Sequence, residues 1–174
     1  MKLAQCIILD LLKDYDPVPI LPETCDFHFS GVQLLDQDNP TDDPSILYIG
    51  TTTQISSFDT EKLKDFCIIC IGKKEDVSSY IENYQANLIL IPENHSLASV
   101  VNTLYTGFHR ILRWDAELQN AILSKQNYQS LFSIGGRFFG KNVMLMVNSS
   151  YNVIGANLLE APGHEKLDFI LKNG

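Results

Sequence analysis

Three short, uninterrupted apolar runs constrain this chain more than anything else in it: Ile46-Leu47-Tyr48-Ile49, Phe66-Cys67-Ile68-Ile69-Cys70-Ile71 and Leu88-Ile89-Leu90-Ile91. A strand that alternates apolar and polar residues has one wet face. A strand that is apolar throughout is buried on both, the pattern of parallel sheets covered by helices. Each run ends in a polar or glycine-containing stretch, Gly50-Thr51-Thr52-Thr53, Gly72-Lys73-Lys74 and Pro92-Glu93-Asn94-His95. Between them, Asp59-Thr60 can cap a short helix over residues 61–65, and residues 75–84 read as a second helix. Strand, helix, strand, helix, strand is an α/β order with right-handed crossovers. The expectation for residues 1–112 is therefore a small parallel-sheet α/β domain. No run approaches the roughly 20 apolar residues that a bilayer span needs, so no membrane partner is expected.

The flanking segments are consistent with that core. Residues 2–14 place Leu3, Ile7, Ile8, Leu11 and Leu12 at helical spacing. Pro17, Pro19 and Pro22 then demand an extended connection. Residues 26–35 alternate, with Phe27 and Phe29 on one face, and Gly31 marks a bulge or bend. The acidic stretch 36–44 lacks the Gly and Glu of a calcium loop, having Thr41 and Leu47 at those positions, and reads as a solvated turn. Cys67 and Cys70 have metal-ligand spacing, but residues three apart on a strand face opposite ways, so core packing is expected and no metal. Cys6 and Cys25 are too scattered to add a disulfide framework.

Ser96 can cap a helix of about 28 residues, a rod of roughly 40 Å. Its apolar row runs through Leu97, Val101, Leu104, Phe108, Ile111, Leu118 and Ile122, and Val100, Tyr105 and Leu112 widen the face. Such a rod either bridges to a second unit or pairs with another copy as a coiled coil, with a break at Gly107 as a further alternative. A homodimer seam is accordingly expected over Leu104, Phe108, Ile111, Leu118 and Ile122. Beyond Lys125, residues 127–139 form a further amphipathic helix that Gly140 can cap, with Gly135 and Gly136 as packing residues. Residues 142–147 and 151–156 form a hairpin, and 164–172 a final helix. The domain expectation is 1–112, a connecting helix 113–126 and a partial α+β segment 127–174.

Ligands of open parallel sheets bind beyond the carboxyl ends of the strands. Thr51, Thr52, Thr53, Lys73, Lys74, Asn94 and His95 would converge there and suit a small anionic metabolite. Of the other histidines, His28 falls on a strand, His109 on the long helix and His164 near the tail, so no catalytic constellation forms. Hydrolase, phosphate-loop and metalloprotease motifs are absent from the sequence. The chain is expected to be no enzyme and to need no cofactor. Residues 1–110 carry 7 Lys/Arg against 16 Asp/Glu, and residues 111–174 carry 6 against 5 without a basic cluster, which argues against direct nucleic-acid binding. Lys2 precedes an apolar stretch, but Asp10, Lys13 and Asp14 break it and no small-residue cleavage site follows, so the cytoplasm is the expected compartment.

The runs FSGVQLLD, SILYIGTTTQ, FCIICIG, ANLILIPENHSLASVVNTLYTGFHRILRWDAELQNAI and SLFSIGGRFFGKNVMLMVNSSYNVIGAN, in that order, resemble the N-terminal region of PucR/CdaR-type bacterial transcriptional regulators. The last of them looks like the helix and hairpin that open a PAS- or GAF-like sensory module. The first part is also similar, more distantly, to the small N-terminal α/β domains of Mur ligases. The resemblance implies a regulatory fragment that senses a metabolite or partner and dimerises, with DNA read only by a C-terminal helix-turn-helix outside this chain. The alternatives are a purely structural dimerisation module and a small substrate-binding or enzyme domain.

Overall fold

The structure is a computed structural model, which describes residues 2–20, 27–36, 43–57, 66–78, 81, 87–139, 144–147, 149–150 and 153–157. The chain divides into two compact units, Met1–His109 and Arg110–Gly174.

In the first unit, β1 (Leu3–Ala4) leads into α1 (Gln5–Leu11), a 3-10 turn over Lys13–Tyr15 and β2 (Val18–Ile20). Next come β3 (His28–Phe29), β4 (Gly31–Leu34), β5 (Ile46–Thr51), α2 (Thr52–Ser57), β6 (Cys67–Ile71), a 3-10 turn over Lys74–Val77 and β7 (Asn87–Ile91). The helix expected over 61–65 lies outside the described residues. The one expected over 75–84 begins as the 3-10 turn, with its remainder only partly described.

The three apolar runs lie side by side and run the same way. The main sheet has the order β2-β7-β6-β5-β4, with β4 to β7 mutually parallel. Register aligns Thr51 with Ile71 and Ile71 with Ile91, so the strands finish level. β2 closes the far edge antiparallel to β7. Its central Pro19 has no N–H to donate, and an edge strand is where a sheet tolerates that. The bend expected at Gly31 is a change of sheet: β3 pairs with β1, β4 pairs with β5, and the Ser30 and Ser45 hydroxyls meet at 2.8 Å across the junction.

Alternation along the strands builds two apolar layers. Tyr48, Ile68, Cys70, Leu88 and Leu90 pack with Leu35, with Ile55 of α2 and with Val77. Leu47, Ile49, Ile69, Ile89 and Ile91 point the other way and are fully buried too. Leu3, Ile8, Leu12, Phe29, Val100, Leu104 and Phe108 are among the further buried apolar side chains of that unit. Tyr105 Oη donates to the Val32 carbonyl at 3.1 Å, and the Tyr15 hydroxyl meets Ser99 Oγ at 2.8 Å and Thr103 Oγ1 at 2.7 Å. These bonds anchor the long helix to β4 and to the 3-10 turn that follows α1.

That helix, α3 (Leu97–Leu123), is continuous through Gly107. The glycine marks a close approach, not a break: a Cβ there would lie 2.5 Å from Leu11 Cδ1. Ser96 Oγ accepts the Ser99 N–H at 3.2 Å, the cap read from the sequence. The helix ends on a left-handed Lys125 (φ 51°), with Lys125 N–H bonding Ile122 O at 3.0 Å and Gln126 N–H bonding Ala121 O at 2.9 Å. This is a Schellman closure with lysine where glycine is usual.

The second unit continues with α4 (Tyr128–Phe139), β8 (Met144–Val147) and β9 (Val153–Asn157). Asn127 Oδ1 caps α4 by accepting the Ser130 N–H at 2.9 Å. Gly135 and Gly136 are buried, as packing glycines should be. β8 and β9 form the expected antiparallel hairpin, with a register shift at Met146/Val147, and α4 packs on β9. Gly140 and the helix expected over 164–172 lie outside the described residues. Among the described residues no helix is long and apolar enough to cross a membrane.

Candidate functional site

The level strand ends bring all seven expected ligand residues to one edge of the sheet. Thr51 ends β5, Thr52 and Thr53 open α2, Lys73 and Lys74 follow β6, and Asn94 and His95 follow β7. Four of them, Thr51, Thr52, Lys73 and His95, engage neighbouring residues outside the set. Gln54 Oε1 accepts from Thr51 N–H at 2.9 Å and from Thr51 Oγ1 at 3.2 Å. Thr52 Oγ1 donates to Asp76 Oδ2 at 3.3 Å. Lys73 Nζ pairs with Glu93 at 3.3 Å, both side chains exposed. The His95 ring meets Tyr15 edge-on at 5.0 Å. Thr53, Lys74 and Asn94 remain exposed.

Two features work against a crevice at this edge. Glu75, Asp76 and Glu93 outnumber the two lysines. The strands also step one way only, from β4 to β7, and Ile55 and Val77 of both crossovers lie on one face. A binding crevice in an open α/β sheet opens where strand order reverses, and no reversal occurs between β4 and β7.

Cys67 and Cys70 lie on opposite layers of β6 and are fully buried, as strand geometry requires. Burial, and then the negative charge of Asp76, push the Cys70 thiol up to about 12. Such a thiol is core, not nucleophile. Among the described residues, no cluster of His, Cys, Asp and Glu could hold a metal ion.

The expected dimer seam requires a correction at three positions. Leu104, Phe108 and Ile111 are 0, 5 and 4 % exposed within a single chain, so none can meet another copy without unpacking it. Leu118 is half-buried. Ile122 is 62 % exposed, and Leu112 and Leu123 join it on the surface at 41 and 80 %.

The second unit holds an arrangement that sequence reading missed. Arg110, Arg113 and Glu117 share one face of α3, and α4 brings Arg137 and Phe138 against it. Glu117 is bonded on both sides, by Arg113 Nε at 3.1 Å and by Arg137 Nη2 at 3.1 Å. Trp114 stacks on Phe138 with ring centres 4.4 Å apart, and the Arg110 guanidinium sits 5.4 Å from the same ring. Two adjoining hollows open here. One of about 210 Å³ is lined by the three arginines, Trp114 and Phe138. The other, of about 520 Å³, shares Glu117, Ile134 and Arg137 with it and is floored by Asn120, Asn127, Ser130 and Ser133. The absence of a basic cluster in the last third of the sequence is thus a property of the linear order alone: Arg137 lies 24 residues beyond Arg113. The one available signal was Arg110-Arg113-Glu117 at helical spacing beside an aromatic.

Compared with known protein families, with curated proteins and with solved structures, the chain matches none.

Proposed function

We propose that this chain is a non-catalytic regulatory module of a PucR/CdaR-type transcriptional regulator, working in the cytoplasm and associating as a homodimer. The observation that carries the reading is α3, one unbroken helix that is capped on the α/β unit and ends as part of the second unit. A helix shared by two units is a natural carrier of state, because a ligand or partner that prefers one arrangement of it shifts the population toward that arrangement. On this reading α4 and the β8–β9 hairpin open a PAS- or GAF-like sensory fold, and DNA contact belongs to another part of the regulator.

Self-association uses the distal surface of α3. Leu112, Ala116 and Leu123 are exposed and fall at the four- and seven-residue spacing of a coiled-coil seam, with Ile122 beside them. Light scattering should give twice the chain mass, and Ile122→Asp with Leu123→Asp should give monomers. A monomeric parent would refute the dimer.

The inward bonding of Thr51, Thr52, Lys73 and His95 favours a second reading for the α/β unit, a structural module with an empty sheet edge. Thermal-shift screening against small acids and nucleotides separates the two. A hit abolished by Lys73→Ala with Lys74→Ala assigns sensing to the edge, and a hit indifferent to that change assigns it elsewhere.

A further inference from the structure

We infer that the groove between the distal half of α3 and α4 is a binding site for a small dianion whose charge resides on oxygen, a phosphate or a dicarboxylate. Among the described residues that line the groove, three guanidiniums, Arg110, Arg113 and Arg137, accompany one carboxylate, Glu117, an excess of two positive charges in a chain whose net charge is −8. Arginine is the residue whose planar fork matches carboxylate and phosphate oxygens two at a time. Glu117 spends only Nε of Arg113 and one Nη of Arg137, so each arginine keeps further N–H groups for a ligand. The carboxylate lies between the two guanidiniums, where its charge competes with an arriving anion for the same N–H groups. The adjoining hollow of about 520 Å³, with Asn120, Asn127, Ser130 and Ser133 on its walls, has room and hydrogen-bonding groups for the polar body that carries the charges.

Arg113 belongs to α3 and Arg137 to α4, so an anion gripping both would tie the two helices together more strongly than Glu117 alone. This gives the regulatory reading a ligand class, and it rests on that reading only for its meaning. The oligomeric state tests the regulatory reading and anion binding tests this one, so each can fail alone.

The chain's one tryptophan, Trp114, lines the site and reports on it directly. Titration of the full chain with inorganic phosphate and, separately, with succinate at low ionic strength should change Trp114 emission saturably, and calorimetry should give one site per chain. The anion that binds more tightly identifies the source of the charge. Arg113→Gln with Arg137→Gln, both exposed and checked for fold by circular dichroism, should weaken binding by at least about tenfold, the loss of two charge-assisted contacts. Glu117→Gln keeps the size and an acceptor oxygen but removes the competing charge, so affinity should rise. Lys73→Ala with Lys74→Ala should change nothing. The proposal is overturned if neither anion saturates, if the double arginine variant binds as the parent does, if Glu117→Gln weakens binding, or if the lysine variant abolishes it.

Discussion

Gly72 sits at φ 153°, and a Cβ there would lie 2.3 Å from Thr52 Cγ2, a side chain already buried and bonded to Asp76. Gly72→Ala should therefore cost about 1–3 kcal/mol, read as a lower urea midpoint. Lys125 poses the opposite case: a lysine held in the left-handed region at φ 51° where glycine relaxes. Lys125→Gly should stabilise the chain by about 1 kcal/mol, and a lowered midpoint would contradict the Schellman assignment. Cys70 gives a pH prediction. Its folded thiol is raised to about 12 by burial and by Asp76. Folding thus favours the protonated form. That contribution is intact below the unfolded thiol's pKa of roughly 8.5 and is lost as pH climbs toward the folded value. Stability should fall between these limits less steeply in Cys70→Ala than in the parent. At pH 8, an alkylating reagent should label exposed Cys6 and spare Cys70 until denaturant is added.

At the scale of elements, β6 is the strand on which the α/β unit depends, with parallel neighbours on both sides and every residue buried. Ile69→Ala in its middle leaves a cavity that neighbouring strands cannot close, so a loss of about 2–5 kcal/mol is expected in chemical denaturation. The start of α3 is a smaller matter. Ser96→Ala removes the acceptor for one orphan N–H and should cost about 1 kcal/mol. The burial of α3 divides its two apolar rows in a way that spacing did not. Val100, Leu104, Phe108 and Ile111 face inward, whereas Tyr105, Leu112 and Ile122 stay at the surface. A helix with apolar residues over a wide arc presents several candidate seams, and only its neighbours decide which is core.

For the molecule as a whole, charge separates the two units. Residues 1–110 hold 16 of the 21 acidic residues, while the second unit gathers three arginines into one small groove. A patch with two net charges grips a small dianion but cannot release the many counterions that duplex binding requires. Duplex DNA should run unretarded by this chain at physiological salt in a mobility gel. The sequence by itself determined the parallel strands, the cap at Ser96, the helix at 127–139 and the hairpin, because apolar periodicity and capping are encoded within a few neighbouring residues. Tertiary structure alone decided the one-way strand order, the surface left exposed on α3 and the meeting of Arg113 with Arg137. Those depend on crossover direction and on the chain reversal at Lys125, whose left-handed backbone no glycine announces, so charges distant in the chain become neighbours only after folding.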